Sequence, residues 1–434
     1  MYQGKGLETD AMNRDLGFTP SEIDYLILSH AHIDHSGLIP YIYKNGFRGT
    51  VLCTPATRDL CAIMLADAGR IQEQDTQTFN KKRKQQGLEP VEPIYDETDA
   101  QACMSCFISV PYHKKFNIEG EVTVEFFDAG HILGSALVYL EIKEGRRTIR
   151  LGFTGDIGRF DKQILKDPEP FPQVDYLIME STYGDRLHES LQDAETELLK
   201  AVLDTCTKKK GKLIIPSFAI GRAQEIIYAL DRLEHVKLLP DIDVFVDSPL
   251  SISATNIMKL HTECFNQSIA DYCQNDPDPF GFDRLHYIQS VMESKQLNIR
   301  HKPCVIIAAS GMMEAGRVKH HLANHIDNPA TTILCVGYCE PSTLGAKIMR
   351  GDEEVSIFGQ RHKVRAELRR IDSLSGHGDY SEMIQYIGCQ DKRKLKHIFL
   401  VHGEEETQQH FAETLTRVGW EHVSIPTFRE EVEF

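Results

Sequence analysis

The chain lacks the marks of a membrane-spanning, secreted or disulfide-framed protein. No apolar run approaches the roughly 20 residues that a membrane-spanning helix needs, and the first residues do not have the order of a signal peptide. The 11 cysteines show no paired spacing, and Cys103-Met104-Ser105-Cys106 is a lone CxxC without a second pair. Reduced thiols in a cytoplasmic protein with no membrane partner are therefore expected. Net positive charge is also missing: 48 Lys and Arg against 64 Asp and Glu leave −16. That balance argues against non-specific nucleic-acid binding by the whole surface, though not against a local basic groove. Three basic runs stand out, Lys81-Lys82-Arg83-Lys84, Lys208-Lys209-Lys210 and Arg361-His362-Lys363-Val364-Arg365. Such runs are usually solvated faces, and less often contacts to a polyanion. Internal repeats and low-complexity tracts are absent as well.

What is present is ordinary in bulk and unusual in one place. The 434 residues, 41% hydrophobic and 26% charged, suffice for two or three domains with real cores. The unusual place is Ser29-His30-Ala31-His32-Ile33-Asp34-His35-Ser36-Gly37, with three histidines and a carboxylate inside six residues. An apolar run, Ile23 to Leu28, reads as a strand before it, and Gly37-Leu38-Ile39-Pro40 as the start of a helix after it. The cluster thus falls on a loop at the carboxyl end of a strand, where α/β sheets place their sites. Imidazole and carboxylate are ligands suited to zinc. His30 and His32 alternate and can point the same way from an extended loop. Asp34 and His35, being adjacent, do not easily join that pair on one ion. Two neighbouring ions account for the spacing better than one.

Further along, polar residues recur just past predicted strands. Val122 to Phe127 leads to Gly130-His131, and a hairpin of Leu137 to Ile142 and Thr148 to Phe153 leads to Gly155-Asp156. Asp175 to Met179 delivers Glu180-Ser181-Thr182-Tyr183-Gly184. From about 190 to 370 helices (191–208, 222–234, 251–265, 316–326, 343–350) alternate with strands (212–216, 242–247, 303–309, 331–338). This pattern predicts a mostly parallel sheet covered on both faces. The last part places His377 in Ser375-Gly376-His377-Gly378-Asp379, and His402 after the apolar strand Lys396 to Val401. A di-metal site takes about seven ligands with one bridging carboxylate, for which Asp156 is the natural choice, and clamps an in-line displacement at phosphorus.

The His-x-His-x-Asp-His motif, Gly130-His131 and Gly155-Asp156 resemble the metallo-β-lactamase fold superfamily. Glu180 in Glu-Ser-Thr-Tyr-Gly, His377 in Ser-Gly-His-Gly-Asp and His402 in Val-His-Gly-Glu resemble motifs A, B and C of its β-CASP branch, the nucleases related to the cleavage and polyadenylation specificity factor endonuclease. The resemblance implies an α/β fold: an αββα sandwich built from 1–190 and 371–434, with a β-CASP domain, 191–370, inserted as a parallel sheet flanked by helices. It implies two Zn2+ per chain, the first held by His30, His32 and His131, the second by Asp34, His35 and His402, with Asp156 bridging. Asp34, Glu180 and His377 carry the implied chemistry: a metal-activated water attacks phosphorus, and His377, oriented by Glu180, protonates the leaving oxygen. A histidine at motif C goes with RNA rather than DNA, so a ribonuclease is implied, with endo- versus 5′-exonucleolytic mode left open by these motifs.

Phosphate contacts are expected where Pro216-Ser217-Phe218-Ala219-Ile220-Gly221-Arg222 and Ser310-Gly311-Met312-Met313-Glu314-Ala315-Gly316-Arg317 run from strands into helix N-termini. Ser217, Arg222, Ser310, Gly311 and Arg317 are the candidates; an ordinary packed βα turn is the alternative. Asp247-Ser248-Pro249 matches a family signature but suggests no chemistry. Family members begin with strands ending in an Asp-Cys-Gly-like turn ahead of a segment like Met1-Tyr2-Gln3-Gly4. Those strands and that aspartate are missing here, so a late start is expected, with weaker bracing of the metal histidines. An unpaired sheet edge that invites association, such as a homodimer, would follow. Two other readings compete: a metallo-hydrolase of small thioesters or lactams, and a non-catalytic RNA-processing scaffold. The inserted domain argues against the first and the full ligand set against the second.

Overall fold

Three short parallel strands open the fold: β1 (Tyr25–Ile27), β2 (Thr50–Cys53) and β3 (Phe107–Ser109), paired in that order. The computed structural model describes residues 1–2, 7–188, 192–337, 339–371 and 375–433. The long helix Pro55–Gln85 follows β2, with the Thr54 hydroxyl accepting the Thr57 N–H as its cap. A second sheet begins with β4 (Phe116–Ile118), β5 (Val122–Asp128), β6 (Ala136–Glu144) and β7 (Arg147–Phe153), an antiparallel run, and continues with β8 (Tyr176–Glu180) parallel to β7. The period of two along β5 and β6 explains how the two sheets join. Val124, Phe126, Ala136 and Val138 pack with Leu52 and Ile27 between the sheets, while Phe127, Leu137 and Tyr139 point into a separate core on the other face.

A second unit is built from 161–166 and 188–376. Its six-stranded sheet contains β9 (Lys212–Pro216), β10 (Asp243–Val246), β11 (Leu285–Tyr287), β12 (Cys304–Ala308) and β13 (Thr332–Cys335). A two-stranded hairpin follows, β14 (Glu354–Ile357) and β15 (Gln360–Lys363), and then β16 (Glu367–Arg370) completes the six. The order is β11-β10-β12-β9-β13-β16, and all pairings are parallel. Every residue of β9 and β12 is buried, as expected of central parallel strands with both faces covered.

The chain returns to the first unit as β17 (His397–Val401), parallel to β8, with β18 (Val423–Ser424) at the edge. The finished order is β18-β17-β8-β7-β6-β5-β4. Helices Tyr380–Ile387 and Glu405–Arg417 cover it through Met383, Ile387, Phe411 and Leu415.

The architecture is the expected α/β one, with local departures. Residues 161–166 belong with the second unit rather than the first. There Leu165 bridges to Phe265, and the Asn266 N–H donates to the Ile164 carbonyl. The helix expected over 251–265 ends at Leu260, because Asn266 caps a new helix, Gln267–Tyr272. The helix expected from 316 starts at Arg317, since Gly316 takes a positive φ of 75°. Strict alternation is broken by the β14–β15 hairpin, and β11 and β16 were not expected. Residues 372–374, just ahead of the predicted motif B segment, and Tyr338, the last residue of the predicted 331–338 strand, lie outside the described residues.

One buried acid of the second unit makes stability depend on pH. Asp231, on helix Arg222–His235, is 1% exposed and accepts the Tyr272 hydroxyl at 2.7 Å. Burial pushes its carboxyl up to about 6, helped by Asp276, Asp278 and Glu234 and against the Tyr272 bond. A raised carboxyl means that the folded state holds the proton more tightly than the unfolded chain. Its contribution is thus full below about pH 4 and is lost as pH rises toward 6, by at most about 3 kcal/mol. Asp231→Asn is expected to stabilise the protein by clearly more at pH 8 than at pH 4.5, where only about a third of the effect has developed. Urea unfolding at both pH values checks this; an equal offset at the two would contradict it.

Candidate metal centre

The sequence places two ligand types on either side of one small turn. His30 and His32 follow β1 outside any helix or strand, whereas Ile33–Ser36 forms one helical turn, not the loop expected there, and carries Asp34 and His35. His131 follows β5, Asp156 follows β7, Glu180 ends β8, and His402 follows β17. All therefore gather at the carboxyl ends of strands. Glycines let the turns approach: a Cβ at Gly158 would lie 1.9 Å from the Gly130 carbonyl oxygen. His402 itself sits at φ 55°, a left-handed conformation costly for a non-glycine residue and typical of functional sites.

Two four-residue donor groups result, His30, His32, His131 and Asp156, and Asp34, His35, Asp156 and His402. In the first, His32 Nδ1 lies 3.2 Å from His30 Nε2 and 3.1 Å from His131 Nε2, and Asp156 Oδ2 lies 3.3 and 3.6 Å from those two Nε2 atoms. In the second, His35 Nε2 is 3.2 Å from Asp156 Oδ1 and 3.6 Å from Asp34 Oδ2, which is 3.2 Å from His402 Nε2. A tetrahedron with donors about 2.0–2.1 Å from its centre has edges of about 3.3–3.4 Å. Both groups match that figure, and Asp156 offers one oxygen to each. His35 Nε2 and Asp156 Oδ1 are buried without any hydrogen-bond partner. A cation between them would remove that penalty. The donor sets thus fit divalent metal ions.

The surroundings hold these groups in ligating states. Burial drives His32 down to about 3 and lowers His30 and His131, so the imidazoles are neutral. Burial works against ionised Asp156, but His30, His35, His377 and His402 outweigh it and keep its carboxyl well below the usual range. Ser29 Oγ lies 3.2 Å from His30 Nδ1 and can fix the tautomer that turns Nε2 inward. Thr182 is a residue the sequence reading quoted without a role. Its hydroxyl donates to Glu180 Oε2 at 2.6 Å and lies 2.9 Å from His402 Nδ1. A side chain that accepts from one motif and donates to another cannot be seen in either motif alone.

Glu180, 1% exposed, accepts from the Thr182 hydroxyl, the Ile157 N–H and His377 Nδ1, the last at 3.0 Å. It is thus placed to orient His377, and Asp156, Glu180 and His377 form a third, smaller group of neighbouring donor atoms. Burial works to lower the His377 pKa, but Glu180 and Asp156 raise it overall. An antiparallel bridge between Gly158 and His377 sets the backbone of that histidine beside the Asp156 turn.

The five phosphate candidates all lie in the second unit, and their side chains are largely committed. Ser217, buried after β9, donates to the Phe218 carbonyl. Arg222 is buried and paired with Glu225. Ser310 bonds within its own turn to Ala315, and Gly311 packs against the Phe218 ring. Arg317 donates to Asp247 Oδ1 at 2.6 Å and to the Ile288 and Gln289 carbonyls. Ser217 and Gly311 do meet, in a small cleft with Phe218, Gly337 and Cys339. The role missing for Asp247 also emerges: fully buried, it anchors Arg317, His321 and Ser294.

Fold and site together define a metallo-hydrolase architecture whose donors converge from both ends of the chain. Comparison with known proteins is consistent along the whole length. Residues 4–61 match the metallo-beta-lactamase superfamily, 223–348 the Beta-Casp domain, and 361–426 the Zn-dependent metallo-hydrolase RNA specificity domain. The chain is 31% identical over 432 residues to Ribonuclease TTHA0252 of Thermus thermophilus, covering 100% of this chain and 92% of that protein. It is 31% identical to an RNase J-like protein of Methanocaldococcus jannaschii, covering 98% of this chain and 92% of the other. The match to transcription termination factor FttA of Methanosarcina mazei is 30% identical and spans 90% of this chain but 60% of that longer protein. The chain belongs to the β-CASP branch of the metallo-β-lactamase superfamily. No helix among the described residues is long and apolar enough to cross a membrane.

Proposed function

We propose that the chain is a ribonuclease that hydrolyses RNA phosphodiester bonds with two zinc ions. The observation that carries this reading is the pair of four-donor groups sharing Asp156, with a Glu180–His377 pair next to them. When bound, the ions supply positive charge for phosphoryl oxygens and a water ionised near neutral pH. His30, His32, His131 and Asp156 hold one ion; Asp34, His35, His402 and Asp156 hold the other. Glu180 accepts the proton of His377 Nδ1, so the proton available to a leaving oxygen sits on Nε2. Similarity to proteins named ribonuclease, each covered over most of its length, supports RNA as the substrate.

Purified protein is expected to contain about two zinc ions per chain by elemental analysis. It should cleave single-stranded RNA in preference to DNA, with activity lost to a chelator and restored by zinc. Well under two ions per chain would sink the di-zinc assignment. Two bound ions with neither polymer cut would instead favour the scaffold reading.

A further inference from the structure

The β14–β15 hairpin breaks a local rule. Its two-residue turn is Phe358-Gly359, with φ of 52° and 80°. Turns with two positive φ values favour Asn-Gly or Gly-Gly, because a large side chain is strained in the left-handed region. Here a phenylalanine takes that position and is 54% exposed, while its neighbours Val355 and Ile357 are buried in the core of the unit. An aromatic ring is thus held out at the tip, where an asparagine would make a better turn.

What surrounds the ring is cationic and aromatic. Lys319 Nζ lies 5.1 Å from the ring centroid, and the His320 ring lies 4.6 Å away at 33°. Both contacts come from one helix, Arg317–His325, and more than half of the side chain stays open. Burial, His321, Lys295 and Lys319 together hold His320 below its ordinary pKa, so it is a neutral ring at pH 7. On β15, Arg361 and Lys363 are exposed and form no ion pair among the described residues. In a chain of net charge −16, three cations without an ion pair on this hairpin and the helix beside it are out of keeping with the chain's acidic balance, although Glu354 stands opposite Lys363 in the strand register.

We infer that Phe358 is a stacking platform for an unpaired base of single-stranded RNA, with Lys319 and Arg361 taking the flanking phosphates. Aromatic rings accept any base by its face, and nearby cations follow the backbone. Charge complementarity selects this occupant: Lys319 Nζ is held by the Glu314 backbone carbonyl at 3.3 Å, and neither it nor Arg361 nor Lys363 is neutralised by an ion pair among the described residues, which suits a polyanion. The inference rests on the ribonuclease reading for its purpose but not for its test.

The test is equilibrium binding of a fluorescein-labelled 12-nucleotide single-stranded RNA by anisotropy, with chelator present so that nothing is cut. Phe358→Asn relieves the turn and removes the ring. Its melting temperature is expected to be unchanged or higher, and its affinity roughly 5- to 150-fold weaker, the worth of one base stack. Phe358→Trp should restore binding, and Arg361→Ala should weaken it and flatten its salt dependence. Binding of duplex RNA and hydrolysis of bis(p-nitrophenyl) phosphate should be indifferent to Phe358. Equal affinities of wild type and Phe358→Asn overturn the inference, as does a lowered melting temperature with unchanged affinity, which would make Phe358 only a pin between hairpin and helix. RNA binding without RNA cleavage in metal-replete wild type would leave the platform standing while the ribonuclease reading fails.

Discussion

His377→Ala is expected to lower the turnover of RNA by about 10²- to 10⁴-fold, the usual worth of a positioned proton donor. The expectation follows from geometry. His377 Nδ1 is tied to Glu180 at 3.0 Å, and Glu180 is itself held by the Thr182 hydroxyl and the Ile157 N–H. The imidazole is therefore aimed, and it lies outside both four-donor groups. Zinc content and KM should stay at wild-type values. Comparing leaving groups separates this role from a structural one. A ribose oxygen needs a proton to depart, whereas p-nitrophenolate leaves without one. The loss on bis(p-nitrophenyl) phosphate should thus be less than about 10-fold. Equal losses on both substrates, or lost zinc, would rule the assignment out.

Asp247→Ala should cost about 3–5 kcal/mol of stability, because it strands charge and hydrogen-bonding groups in the interior of the second unit. Asp247 is 0% exposed and accepts Arg317 at 2.6 Å, His321 Nε2 at 2.7 Å and Ser294 Oγ at 2.5 Å. Burial works against its ionised form, but those three bonds outweigh it and hold its carboxyl below the ordinary value. A depressed carboxyl stabilises the fold above its unfolded pKa, and that contribution fades as pH falls toward the folded one. In a unit of this size such a loss lowers the melting temperature by roughly 6–20 °C. Asp247→Asn, keeping shape without charge, should fall between wild type and Asp247→Ala at pH 7. A melting temperature within about 2 °C of wild type for Asp247→Ala would show that Arg317 and His321 find other partners.

Much of the candidate donor cluster was legible because its chemistry is local. His30, His32, Asp34 and His35 sit within six residues, and no other common use demands that density of donors at a strand end. The strands that carry them announce themselves through apolar runs and flanking glycines. The phosphate candidates were less legible because a sequence shows that an arginine is present but not what it is already bound to. Arg222 pairs three residues along its own helix, a contact the spacing allowed; Arg317 pairs with an aspartate 70 positions away, which no spacing reveals. Turn chemistry was legible in the same partial way. Phe358-Gly359 reads as an unremarkable dipeptide until two positive φ values show the phenylalanine in an asparagine's place.

By itself, then, the sequence determined which atoms are available to metal and which elements present them, since ligand type and strand periodicity are properties of neighbouring residues. Only the tertiary structure brought the distant donors into two groups, because that depends on β5, β7 and β17 ending beside the His30–His35 turn. Folding alone turned Asp156 so that each of its oxygens meets a different histidine group, set Glu180 against His377, and sealed Asp247 against Arg317, His321 and Ser294. These are contacts between residues dozens to hundreds of positions apart, and burial gives them their strength by removing the water that would otherwise compete.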